Sequence, residues 1–319
     1  MARPLQVGLV LPHGEGWADG KTPHWSDLRT MAERAEGAGF DSLWVVDHML
    51  IRWARVAEQY GGPVSPELAA AEPEGVWEAW SILSALAAVT ERIELGTLVL
   101  CTGYRNPALL AKMADTLDEI SNGRLVLGLG AGDVEDEHRS FGFHWDHRVG
   151  RFEEALTVIT GLLRDGHIDH DGPYYQARDC ELRPRGPRPT GPPILIGALG
   201  RGPRMMRLVA QHADRWNGWF VFGDNRVDAV PPLREAVDAA CVAHGRDPAT
   251  LERSVAIEVA LLGRDDPPNA PIRGEPEEIA ATLLAFAREG ITEVQLELMP
   301  NTLEGVEAFA PILEMLDRA

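Results

Sequence analysis

Two rhythms of apolar positions alternate along this chain. Segments 7–11, 42–46, 93–100, 125–129, 194–196, 215–219, 255–261 and 294–298, most of them short continuous apolar runs, predict strands buried on both faces. Between them, segments 26–38, 78–90, 107–120, 149–163, 205–212, 227–243, 276–289 and 303–316 repeat their apolar residues at helical spacing. Leu156, Ile159, Leu162 and Leu163 illustrate one such face. Gly39, Gly123 and Gly290 stand where helices should stop. About eight βα units predict one TIM (β/α)8 barrel spanning 1–319. A doubly wound sheet is the alternative, but no GxGxxG follows the first strand, and the glycines of 128–132 lie mid-chain with the wrong spacing. Connections 49–74, 166–193 and 265–275 exceed what a barrel needs, which predicts insertion loops at the strand C-terminal face, the last resembling a mobile linker.

The second run ends in Trp44-Val45-Val46-Asp47-His48. In parallel α/β proteins, strand C-termini face the ligand. A histidine there can move a proton near neutral pH or donate to an anionic ligand. The competing reading makes Asp47 a loop cap and His48 a satisfied surface group.

Charge narrows the partners. Thirty basic residues against forty-nine acidic ones give a formal net charge of −19, so a nucleic-acid backbone is repelled. Lys21 and Lys112 are the only lysines. Cys101, Cys180 and Cys241 are widely spaced, without a CxxC pair, which argues against a disulfide framework. No signal-like segment opens the chain and no apolar run approaches a membrane span, so a soluble, cytoplasmic protein is expected.

Several weak motifs occur in one order. Gly39-Phe40-Asp41-Ser42-Leu43-Trp44 precedes Asp47-His48. Thr90-Glu91-Arg92-Ile93, Gly96-Thr97 and Tyr104-Arg105-Asn106-Pro107-Ala108 follow. Then come Ser121-Asn122-Gly123-Arg124-Leu125, Gly128-Leu129-Gly130-Ala131-Gly132, Arg151-Phe152-Glu153-Glu154-Ala155-Leu156, Pro193-Ile194-Leu195-Ile196-Gly197 and Ala213-Asp214-Arg215-Trp216-Asn217. This ordered set resembles the bacterial luciferase-like monooxygenase superfamily over nearly the whole chain.

The resemblance implies a homodimeric barrel that binds reduced FMN or the deazaflavin coenzyme F-420 at the strand ends and acts on a small-molecule substrate. It makes His48 the catalytic strand-end histidine, with Asp47 beside it helping to fix its position. It implies a non-prolyl cis peptide at Leu98-Val99 under the ring, with Thr97 and Cys101 nearby. Cys101 departs from the threonine of some deazaflavin members. Gly130, Ala131 and Gly132 fall against the cofactor, and Asp133 takes the place of an acidic proton donor; as a residue, Asp133 is equally a cap or a solvated carboxylate. Gly197, Ala198, Leu199 and Gly200 would offer backbone N–H groups to the cofactor phosphate. Arg201 and Arg204 would meet an anionic tail or stay solvated. The motif at 104–108 with 128–132 places F-420 ahead of FMN. Trp53 and Trp77 would line an apolar or aromatic substrate pocket, helix packing being the other use of Trp77.

Two other functions compete. Glu135, Glu137, His138, His144 and His147 invite a metal-dependent barrel hydrolase, although no HExxH occurs and Pro12-His13-Gly14 lacks a histidine pair. A flavin-binding protein without turnover is the second.

Overall fold

The computed structural model describes residues 3–198, 202–221, 225–261 and 272–319. Parallel strands β1 (Gln6–Val10), β2 (Ser42–Val45), β3 (Glu94–Thr97), β4 (Leu125–Gly130), β5 (Ile194–Gly197), β6 (Arg215–Trp219), β7 (Glu252–Ala260) and β8 (Glu293–Met299) each pair with their sequence neighbours, and β8 closes on β1. A helix follows each strand: α1 (Trp25–Ala38), α2 (Ala79–Val89), α3 (Pro107–Ile120), α4 (Arg148–Thr160), α5 (Pro203–His212), α6 (Val230–Ala243), α7 (Pro276–Arg288) and α8 (Leu303–Asp317). This is the TIM barrel expected from the alternating rhythms.

The apolar runs are continuous because both strand faces are buried. Outward residues such as Leu9, Leu43, Leu127, Ile196, Ile257 and Leu296 pack beneath the helices in one large core. Inward residues Val10, Trp44, Val46, Leu98, Val126, Leu195 and Ala256 form a second, smaller core inside the barrel. Trp44 dominates it, and its ring needs empty neighbours. A Cβ on Gly8 would lie 2.5 Å from Trp44 Nε1, and one on Gly96 would lie 2.2 Å from Trp44 Cζ3. These glycines sit on the strands either side of β2.

Below Trp44 the floor is polar and sealed. Ser42 Oγ donates to Glu293 Oε1 at 2.5 Å, and Trp44 Nε1 donates to Ser42 Oγ at 2.7 Å. Arg215 pairs with Glu94 at 2.9 Å, Glu252 at 2.8 Å and Glu293 at 3.5 Å. Burial pushes Glu293 up to about 7, against the opposing pull of Arg215 and Ser42.

The insertion after β2 lies at the other, C-terminal end of the strands, whereas connection 166–193, expected there too, leads from the end of α4 to the start of β5. Leu50–Ile51 pairs with Glu74–Gly75, enclosing short helices Trp53–Gln59 and Pro66–Ala70. The β4–β5 connection holds helix Glu135–Ser140 and an antiparallel hairpin, His167–Asp171 with Gln176–Glu181. Read from sequence as an irregular loop, the hairpin alternates exposed and half-buried polar residues and so carries no apolar run. Most of the expected linker at 265–275 lies outside the described residues. Among those described, no helix is long and apolar enough to cross a membrane.

Candidate active site

His48 lies just past β2, and its Nδ1 is 2.8 Å from Glu137 Oε2. Glu137, in the short helix after β4, is fully buried. Its Oε1 accepts the N–H of Met49 at 2.6 Å and of Leu50 at 3.0 Å, and Tyr104 Oη stands 3.4 Å from its Oε2. The carboxylate therefore orients the ring and anchors the backbone that follows it. A quarter of the His48 side chain stays exposed at the mouth. Burial by itself would lower the His48 pKa, but the hydrogen bond and charge of Glu137, with Asp133 and Asp47 farther off, raise it above the ordinary value. The Glu137 pKa moves the other way: burial opposes ionisation, while His48 and two backbone N–H groups pull it below the usual carboxylate range.

The reading in which Asp47 fixes His48 is corrected here. Asp47 instead accepts a two-pronged pair of bonds from Arg105, at 2.7 and 2.9 Å, and the Cys101 N–H at 2.9 Å. Arg105 continues to Glu78 at 2.5 Å, whose carboxylate caps the first turn of α2. Asp47 thus ties the end of β2 to the segment after β3.

That segment contains the cis peptide Leu98-Val99. It nests against glycines. A Cβ on Gly128 would sit 1.8 Å from Thr97 O, one on Gly130 2.7 Å from Val99 Cγ2, and one on Gly197 3.3 Å from Val99 Cγ1. Thr97 uses its hydroxyl on β4, donating to Gly128 O at 2.8 Å and accepting its N–H at 3.0 Å. Cys101 is buried, 3.5 Å from His138 Nε2, and burial pushes its thiol far up, so it stays neutral. Gly132 has a left-handed φ of 78°, and a Cβ there would meet Cys101 Sγ at 2.6 Å. Ala131 packs partly buried beside it.

The remaining expected residues scatter more widely. Asp133 is exposed at the rim, and its carbonyl accepts from Gln59 and Tyr60. Trp53 is half-buried at the start of the first inserted helix. Trp77 is exposed, its Nε1 donating to Pro23 O at 3.1 Å. Gly197 faces Val99, but Ala198 is removed from the phosphate donors: its N–H already bonds Asn217 O at 3.0 Å, extending the β5–β6 ladder. Leu199, Gly200 and Arg201 lie outside the described residues. Arg204 pairs with Glu153.

The histidines and acids that invited a metal centre do not converge. Glu137 faces His48, while His138 faces Val134 O and Cys101. Among the described residues, no three ligating side chains group together.

Reading by residue missed the use of Glu137, hidden in the acidic run Asp133–Glu137. It also missed buried His13, whose two ring nitrogens each lie 2.9 Å from a carbonyl, Leu11 O and Val46 O, tying β1 to the residue before Asp47. Val134, Glu137 and His138 share the buried face of their turn, a relation visible once the helix itself is known.

A family model described as luciferase-like monooxygenase matches residues 5–270. The chain is 31% identical over 266 residues to a phthiodiolone/phenolphthiodiolone dimycocerosates ketoreductase of Mycobacterium tuberculosis, covering 82% of this chain and 66% of the relative. It is 30% identical to an F420-dependent glucose-6-phosphate dehydrogenase of Amycolatopsis mediterranei, covering 67% of this chain and 60% of that one. The match thus spans about two thirds or less of these relatives' lengths. Among solved structures, an F420-dependent secondary alcohol dehydrogenase with an F420-acetone adduct superposes with a TM-score of 0.77 at 19% identity, covering 98% and 99% of the two chains. Long-chain alkane monooxygenase superposes at 0.76 and 16% identity, covering 99% and 92%. On the family match and the barrel together, this chain belongs to the luciferase-like monooxygenase family of oxidoreductases.

Proposed function

We propose that the protein transfers a hydride between coenzyme F-420 and a small organic alcohol or ketone with an apolar or aromatic body. The observation that carries this reading is the His48–Glu137 pair. A carboxylate fixes Nδ1 and leaves Nε2 turned away from it, at a mouth floored by Val10, Val46, Leu98 and Val99. The names of two relatives and one fold neighbour, each a reductase or dehydrogenase, support this choice over oxygen insertion.

The residues fit a flat ring system. Glycines 128, 130 and 197 let Val99 settle into the wall, and the apolar floor keeps water from its underside. Leu98, Val99, Cys101, Gly130, Ala131, Gly132 and Gly197 would line the ring, and the loop after β5 would meet its phosphate. When bound, the deazaflavin accepts or gives the hydride. His48 Nε2 holds the substrate oxygen and takes its proton as the alcohol becomes a ketone, or returns it in reverse. Glu137 steadies the imidazolium so formed. Asp133, at the rim, serves as a second proton group. Trp53 and Trp77 bound the substrate side.

The FMN reading has its own support in a riboflavin lyase neighbour solved with modified FMN. One experiment separates them. The protein is titrated with F-420 and with FMN, then mixed under argon with a panel of secondary alcohols. The proposal expects F-420 to bind and its visible absorbance to bleach. Binding of FMN alone, or no bleaching with any alcohol while the protein in air with reduced FMN yields an oxygenated product, overturns it.

The free cysteines and acidic surface support a cytoplasmic setting. A groove between α2 and α3, lined by Trp80, Met113, Leu117 and Ile120, supports pairing with a second copy. Sedimentation at micromolar concentration tests that pairing, and a monomer alone would exclude it.

A further inference from the structure

Strands β7 and β8 place Glu258 directly opposite Glu297. Their neighbours Ile257, Val259, Leu296 and Leu298 pack outward beneath the helices, so alternation turns both glutamates into the barrel. Each is partly exposed. Asn225 is the polar neighbour of Glu258: its Oδ1 accepts the Glu258 N–H at 2.7 Å, and its Nδ2 stands 3.5 Å from Oε2. Among the described residues neither carboxyl forms an ion pair.

Glu293, on the same face of the same strand, makes the contrast. There Ser42, Trp44 and Arg215 all attend the carboxyl. At Glu297 no such partners stand among the described residues, and burial with the Glu258 charge pushes it up to about 8. Burial raises Glu258 as well. Two adjacent carboxyls without a cation cannot both ionise, so the pair holds a proton it would yield to a better partner.

A second observation lies one inward step below. Gln295 is fully buried, and its Oε1 accepts from Asn217 at 2.9 Å, but its Nε2 has no hydrogen-bond partner. Its register neighbours, Gly8 and Ala256, bring no polar side chain to it. A stranded buried donor beneath two acids that have no cation among the described residues, beside Val10, Trp219 and Val221, describes a place for a polar group that those residues do not supply.

We propose that Glu258 and Glu297 receive a protonated amine on the substrate, with the Gln295 amide beneath them donating to an oxygen acceptor of the same molecule. This rests on the reading of the barrel mouth as the substrate cavity. It narrows the substrate class to alcohols or ketones that also carry an amine. A primary ammonium has three N–H groups, enough to bridge both carboxylates and cancel their repulsion, whereas an alcohol of equal length has one O–H.

The test measures binding, not turnover, so it succeeds or fails independently of the cofactor and the reaction. The full chain, without cofactor, is titrated calorimetrically with n-hexylamine and with n-hexanol at neutral pH. The amine should bind about tenfold tighter or more. Glu297→Gln and Glu258→Gln, each nearly isosteric, should each erase that preference and leave the alcohol unchanged. Equal binding of amine and alcohol by the wild-type protein overturns the proposal whether or not the variants fold. An undiminished amine preference in both folded variants overturns it too.

Discussion

Glu137 reaches across 89 residues of sequence to stand 2.8 Å from the His48 ring. One partner follows β2 and the other follows β4, so closure of the sheet creates their contact. The carboxylate is fully buried, while the imidazole keeps an open edge at the mouth. In the proposed reaction, that asymmetry gives His48 the exchange of protons with a ligand.

His48→Ala should therefore lower turnover by about 10²–10⁴-fold. Circular dichroism and cofactor titration should remain near wild type. Turnover close to wild type on the true substrate would leave His48 as a loop anchor.

Glu137→Gln should lower the pKa of His48, because burial then acts without its main opponent. A proton-NMR titration of the His48 ring reads this directly. Stability should follow. The raised His48 contributes fully below the ordinary histidine value and loses that contribution as pH rises through its folded value. The depressed Glu137 contributes above the ordinary glutamate value and loses it as pH falls through its folded value. Wild type should thus hold a plateau between these limits, and urea melts of the variant should show it diminished.

Gly128→Ala should destabilise the fold by about 1–3 kcal/mol or more, since its Cβ would lie 1.8 Å from a backbone oxygen that no rotamer can move. Thermal melting checks this. The same change at Gly142, where a Cβ meets nothing within 4 Å but φ is 79°, separates collision from conformational cost.

Arg105→Ala should cost about 3–5 kcal/mol by leaving Asp47 charged and buried with the Cys101 N–H as its remaining partner. Arg105→Lys keeps the charge without the two-pronged geometry, and its urea midpoint should fall between the two.

The barrel was legible because its signal is local: most strands are continuous apolar runs and each helix has its own stripe. The sequence ranges for 107–120 and 215–219 coincide with α3 and β6. His48 was legible for the same reason, at the end of such a run. Its partner was not. Glu137 stands among Glu135, Asp136 and Asp133, and no pattern within that run distinguishes the buried acid from the solvated ones. Asp47 misled because adjacency in sequence suggested contact, whereas successive residues of an extended chain point apart. Glu258 and Glu297 interrupt two apolar strands, and that interruption is the visible sign of a lumen-facing acid.

The sealed floor has a kinetic consequence. Trp44 and the Arg215 cluster close one end, so the barrel is a cul-de-sac with a single doorway. A cofactor and a substrate stacked inside it, as the proposed reaction requires, could not come and go independently: the one lodged deeper would enter first and depart last. Such traffic leaves its mark in product-inhibition patterns as a compulsory order.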